Sequence, residues 1–258
     1  MKTGFLITAR LKSTRLPKKI LLEVAGKPLI THMLDRLKQA NTIDKIIICT
    51  STNAQDDPLE DIATKEGVYC FRGSEEDVLL RLYDAAKAHH LSFFANVTAD
   101  CPLADPFIVD CAVMEFNKTN SDLTMYDNRK GDLPFDCYVI RTRALKKIIQ
   151  NKIETDTEVW LKHFLSENNI KIHSIEVEEK YHCGFLKTSI DYPEDYEFMK
   201  RVFAELYKPG SIFSLLDVIA LVKKKPAIFE INATQKQLKR WKDHRLSIGG
   251  GHHLYRTK

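Results

Sequence analysis

No window of this sequence reaches the roughly 18 consecutive apolar residues of a membrane-spanning helix. The apolar run after Lys2 is too short for the core of a secretory signal, so the cytoplasm is the expected location. The six cysteines, Cys49, Cys70, Cys101, Cys111, Cys137 and Cys183, form no C-x-x-C pair. That spacing argues against a zinc site, and the thiols are expected to be reduced and mostly buried. No linker rich in Pro, Gly or Ser divides the chain, and no internal repeat or low-complexity segment is found. One domain over residues 1–258 is expected, with a middle excursion near 125–183. The net charge of +4 is modest. It suits a local anionic ligand better than a broad nucleic-acid surface, and no nucleic-acid or membrane partner is expected.

What is present is alternation. Phe5-Leu6-Ile7 is a short apolar run that reads as a buried strand. Residues 29–40 carry apolar side chains at helical spacing, and residues 45–50 (KIIICT) read as a strand covered on both faces. Asp57-Pro58 opens a helix that Gly67 ends. A strand over 68–71, a helix over 77–89 and a strand over 93–97 follow. This order predicts an α/β fold with a doubly wound, mostly parallel sheet. Further on, helices are expected over 106–118, 143–150, 155–167, 193–206 and 214–224. Strands are expected over 123–126, 136–141, 171–177 and 185–190, the last ending at Asp191. The tail ends in three glycines and His252-His253, which read as a flexible end rather than a metal site.

The loop after the first strand holds Arg10, Lys12, Arg15, Lys18 and Lys19, with no acidic residue before Glu23. A run of cations is often only a solvated face. This one follows a buried strand directly, the place where open α/β sheets bind ligands. Leu11, Leu16 and Ile20 interleave the charges and can anchor the loop so that its cations converge. The glycines of a Walker A or dinucleotide fingerprint are missing, so side chains must supply most of the positive charge. Asp100 follows a buried strand, and Asp105 before Pro106 fits the cap of the next helix better, which leaves Asp100 free for function. Asp191 is a second carboxylate at an expected strand end. Glu194 and Asp195 fit the first helical turn after it.

The pattern Ala9-Arg10-x-x-Ser13-Thr14-Arg15-Leu16-Pro17-x-Lys19, followed by Ala25-Gly26-Lys27-Pro28-Leu29, resembles the start of the CMP-sugar synthetases. These include CMP-Kdo synthetases and acylneuraminate cytidylyltransferases. The likeness is closest to the spore coat polysaccharide biosynthesis protein F branch. It continues through Phe71-Arg72-Gly73-Ser74-Glu75-Glu76-Asp77-Val78, Asp100-Cys101-Pro102-Leu103 and Asp191-Tyr192-Pro193-Glu194-Asp195.

The resemblance implies a Rossmann-like sheet of the nucleotide-diphospho-sugar transferase type. It also implies transfer of CMP from CTP to an acidic sugar or related acceptor, with Mg²⁺ as cofactor and a homodimer as the assembly. Arg10 and Lys19 would sit in the triphosphate site, and Arg15 joins them as a catalytic candidate. Ala9, Arg72, Gly73, Ser74 and Asp77 would bind the nucleotide, with Arg81 a further candidate that can instead pair with Asp77. Asp100 and Asp191 match the metal-binding aspartates. The acceptor region departs from the branch, because Tyr138 stands where an acid is common. Arg129, Lys130, Arg141 and His163 are candidates for holding an anionic acceptor. A glycosyltransferase using a ready-made nucleotide sugar, and a non-catalytic subunit of the same fold, remain as alternatives.

Overall fold

The structure, a computed structural model, describes residues 2–127 and 133–241. The expected turn at 128–132, with Arg129 and Lys130, and the tail with His252 and His253 lie outside the described residues. Strand β1 (Gly4–Thr8) is followed by a small hairpin of β2 (Glu23–Val24) and β3 (Lys27–Pro28) and by helix α1 (Leu29–Leu37). Then come β4 (Lys45–Ser51), α2 (Asp57–Glu66), β5 (Tyr69–Gly73), α3 (Val78–Ala88), β6 (Phe93–Thr98) and α4 (Pro106–Lys118). The rest comprises β7 (Leu123–Tyr126), β8 (Tyr138–Arg141), α5 (Thr142–Asn151), α6 (Leu161–Ser166), β9 (Ile172–Ile175), α7 (Pro193–Leu206), α8 (Leu215–Lys224) and α9 (Pro226–Glu230).

Among the described residues, seven strands form one sheet in the order β5-β4-β1-β6-β8-β7-β9. β1 pairs in parallel with β4 on one side and β6 on the other. β8 runs antiparallel to both β6 and β7. The sheet is therefore mostly parallel and doubly wound, as the alternation predicts. The alternating side chains of β4 show why: Ile46 and Ile48 enter one apolar layer, while Ile47 and Cys49 enter the other. Residues from α1, α2, α4, α7 and α8 fill the first layer, and residues from α3, α5 and α6 fill the second. No helix among the described residues is long and apolar enough to cross a membrane.

The chain leaves β1 toward β4 and β5, then returns to place β6 on the other side of β1. That reversal opens a crevice at the carboxyl ends of β1 and β6, the position where such sheets take ligands.

Two expected elements are corrected. Residues 185–190 are not a strand. Their apolar side chains Phe185, Leu186 and Ile190 are buried, but both edges of β6 are already paired, with β1 and β8. The segment has no strand ladder and is tied to the loop after β6 by the Ile190 N–H, which donates to the Asp100 carbonyl at 2.9 Å. The helix expected over 155–167 is formed only at Leu161–Ser166. Upstream, Thr157 donates its N–H to the Glu76 carbonyl at 3.2 Å and its hydroxyl to Asp77 at 2.9 Å, which holds the chain in an irregular strap.

Candidate active site

Thr8 and Thr98 end β1 and β6 side by side, so the loops that follow them face one crevice. Ala9 extends the β1 pairing, donating its N–H to the Cys49 carbonyl at 3.1 Å, and is buried. The basic loop is then pinned twice. The Leu11 N–H donates to buried Asp56 at 2.7 Å, and Leu11 and Ile20 enter the apolar layer. Lys18 adopts a left-handed backbone, with φ 52°, immediately before the 3-10 turn Lys19–Leu21. Such a conformation is uncommon outside glycine, and here it redirects the chain where Lys19 must meet the strand ends.

Lys19 stands at the centre. Its Nζ is 2.7 Å from Asp100 Oδ2 and 3.0 Å from Asp191 Oδ1. Thr98 donates its hydroxyl to Asp100 Oδ1 at 2.6 Å. Arg15 reaches Asp191 Oδ1 at 3.2 Å and lies over the Tyr192 ring at 5.0 Å. Burial disfavours the charged ammonium, but attraction to Asp100 and the bonds to both aspartates outweigh it and raise the Lys19 pKa. Burial also opposes ionisation of Asp191, yet the hydrogen bond and charge of Lys19, aided by Lys187, hold its carboxyl below the ordinary range. Arg10 turns toward the loop after β5, donating to the Glu75 carbonyl at 2.9 Å and pairing with Glu158 at 3.2 Å.

Between these groups lies a cavity of about 400 Å³, lined by Arg10, Ser13, Lys19, Glu76, Asp100 and Trp160. A second cavity of about 500 Å³ reaches Asp136, Tyr138, Ser189 and Asp191. The two share Thr98, Asp100, Glu158 and Trp160. Each has the size typical of a small-ligand site. Asp100 and Asp191 both face one point, marked by the Lys19 ammonium. Two carboxylates, completed by phosphate oxygens and water, are a donor set that suits Mg²⁺. Among the described residues no larger cluster of His, Cys, Asp and Glu is gathered for a metal.

The loop after β5 is placed differently from the other candidates. Arg72 is 2.6 Å from Asp57 and 3.1 Å from Glu60 of α2, and donates to the Ser51 and Asn53 carbonyls. Gly73 is tightly enclosed: a Cβ there would lie 2.9 Å from the Phe71 ring. The Ser74 hydroxyl accepts from the Asp77 N–H at 3.1 Å. Asp77 caps α3 through the Leu80 N–H at 3.1 Å and pairs with Lys152 at 2.5 Å. Arg72, Gly73, Ser74 and Asp77 line neither cavity, and Glu76 and Val78 reach the first instead. Arg81 is fully buried and donates to the Ser74 and Glu75 carbonyls at 2.6 and 3.1 Å, holding the loop from beneath. Arg141 covers Phe116 at 4.6 Å, and His163 lies 3.7 Å from Glu154. Neither lines the cavities. Glu158 and Trp160 line both and were not singled out from sequence, where they sit in an apparent amphipathic helix.

The chain matches the cytidylyltransferase family over residues 5–247. It belongs to that family. A cytidylyltransferase from Leptospira borgpetersenii has a similar structure, with a TM-score of 0.82 and 30% identity, covering 91% of this chain and 98% of its own. The spore coat polysaccharide biosynthesis protein SpsF of Bacillus subtilis is 27% identical over 231 residues, 86% of this chain and 94% of its own. The 3-deoxy-manno-octulosonate cytidylyltransferase of Chloroherpeton thalassium is 32% identical over 118 residues, 45% of this chain and 46% of its own. The cytidylyltransferase described here is thus a CTP-dependent nucleotidyltransferase, and its crevice at the reversal of strand order is where its charged loops meet.

Proposed function

We propose that this enzyme transfers CMP from CTP to an oxygen of an acidic sugar or related acceptor, releases pyrophosphate, and serves surface polysaccharide synthesis. The observation that carries this reading is Lys19 held between Asp100 and Asp191 at the end of the sheet. Arg10, Arg15 and Lys19 take the triphosphate oxygens, Arg by two-pronged contacts and Lys as a point charge. Ala9 and the loop from Arg72 to Asp77 hold the nucleoside end, the loop chiefly through its backbone. Asp100 and Asp191 hold Mg²⁺, which when bound offsets charge on the α-phosphate and the departing pyrophosphate. Lys19 then exchanges its carboxylate partners for phosphate.

The acceptor enters the second cavity, beside Tyr138 and Trp160. Asp136 and Glu158 also line that cavity and repel an acidic acceptor, so its charge would be offset by Lys19 and by the cation that Asp100 and Asp191 would hold. Its oxygen attacks the α-phosphorus in line. Positioning and electrostatics supply the rate, with no covalent enzyme intermediate. The same reading takes residues 1–258 as one cytoplasmic catalytic domain that acts as a homodimer. Ile153, Val159 and Leu165, exposed at 98%, 72% and 62%, supply apolar surface for such contact. Sedimentation as a monomer at micromolar concentration would remove the dimer.

The test is to incubate the protein with CTP, Mg²⁺ and a panel of acidic sugars and to measure pyrophosphate. Release with CTP and one acceptor is expected. Silence with all four nucleotides across a broad panel sinks the reading.

A further inference from the structure

Asp191 is gripped from behind as well as from the cavity. Its Oδ1 faces Lys19 and Arg15. Its Oδ2 lies 3.3 Å from the Lys187 ammonium. Lys187 also donates to Asp195 Oδ2. That same Asp195 oxygen accepts the backbone N–H groups of Asp191 and Tyr192, each at 2.9 Å. Asp195 is 2% exposed, so its charge depends on these partners. The remaining oxygen, Asp195 Oδ1, accepts from the Asn232 side-chain amide at 2.9 Å. The same amide nitrogen donates to the Lys187 carbonyl at 3.1 Å.

These contacts exceed what a helix start requires. To hold the start of α7, the Asp195 carboxylate need only accept the Tyr192 N–H. Here a lysine four residues before Asp191 and an asparagine beyond α9 are added to it. They join the stretch from Lys187 to Asp195 and the distant Asn232 behind one cavity carboxylate. The Lys187 ammonium on Oδ2 and a fixed backbone N–H leave Asp191 little freedom to rotate. It is held so that a single oxygen faces the point between the aspartates.

We propose that Lys187, Asp195 and Asn232 form a positioning clamp that presents Asp191 Oδ1 to the cation, with Asn232 tying this presentation to the C-terminal segment. The clamp rests on the reading of Asp191 as a metal ligand. Lys187 and Asn232 line neither cavity, so they act through Asp191 and do not touch the reacting atoms.

The test uses the full chain with Mn²⁺ and CTP and no acceptor. Binding is followed by water-proton relaxation, and unfolding by calorimetry. Asn232→Ala and Lys187→Met are expected to weaken the Mn²⁺–CTP complex by roughly tenfold, the lower end for partners that orient metal ligands. Lys187→Arg, which keeps the charge, should stay near wild type. A lower melting temperature with unchanged Mn²⁺ affinity in both variants would overturn the clamp and leave a structural role. Asp191→Asn is the reference. If it weakens Mn²⁺ while Asn232→Ala and Lys187→Met do not, the clamp alone fails. If Asp191→Asn leaves Mn²⁺ binding intact, the metal-ligand reading fails and takes the clamp with it.

Discussion

The Lys19 ammonium lies 2.7 Å from Asp100 and fills the gap between that carboxylate and Asp191. Replacing it with an uncharged chain, Lys19→Met, leaves two facing carboxylates without their shared partner. The variant should melt below wild type, and Mg²⁺ should raise its melting temperature by more than it raises that of wild type. Calorimetry with and without Mg²⁺ decides this; equal shifts would mean that the ammonium and the divalent ion do not share a place. Turnover should fall by about 10²–10³, as for loss of one donor aimed at developing charge.

Arg10 is tied to Glu158 at 3.2 Å, on a strap that also walls both cavities. On the proposed reading, a triphosphate that takes Arg10 displaces that carboxylate. Glu158→Gln should therefore lower the KM for CTP. The Glu158 end of the pair is exposed and screened by solvent, and at the scale of about 0.2–1 kcal/mol for such pairs the effect is up to roughly fivefold. Steady-state kinetics at varied CTP give the answer, and an increased KM would show that Glu158 holds the nucleotide rather than its competitor.

Asp77 joins the α3 cap, the strap and a buried lysine. Asp77→Ala strands the Lys152 charge, so a loss of about 3–5 kcal/mol is expected from breaking a buried pair on one side. Replacing both partners, Asp77→Leu with Lys152→Met, should recover part of it. Urea unfolding of the single and double variants measures the coupling, and strict additivity would rule the pair out as a stability element.

The pH response carries signs that four groups illustrate, His89 being lowered by burial in the same direction as His32. The folded-state pKa of Asp191 lies below its ordinary 3.8, so its contribution is present above that value and lost as pH falls through the folded one. Lys19 is raised above 10.5, so its contribution is present below that value and lost only as pH rises further, through the folded pKa. His32 is lowered from 6.5, chiefly by burial, while its ring lies 2.7 Å from the Val24 carbonyl. Its contribution is present above 6.5 and lost as pH falls through the lower folded value. Unfolding free energy should therefore begin to drop on the acid side of 6.5, before any carboxylate titrates, and His32→Gln should flatten that first decline. A first decline that persists in His32→Gln would assign it to another group.

The fold was largely legible in the chain because periodicity records burial. A continuous apolar run such as Lys45 to Thr50 reads as a strand covered on both faces, and β1, β4 and β6 follow from that logic, whereas the β2–β3 hairpin carries no such run. The basic loop and the aspartates were visible as charges at the ends of such runs. What the sequence could not settle was direction and partnership. Phe185 to Ile190 has the composition of a strand, but the neighbouring position beside β6 is occupied by β8. Arg72 reads as a nucleotide-binding side chain, and its guanidinium meets Asp57 and Glu60 of α2. Lys19, Asp100 and Asp191 meet only because reversal of the strand order sets β1 beside β6, and a bond from Ile190 to Asp100 draws the third group in. Hydrophobic spacing is a local property and survives in one dimension. Which distant charges neutralise each other depends on three-dimensional distance, and only the folded chain sets that.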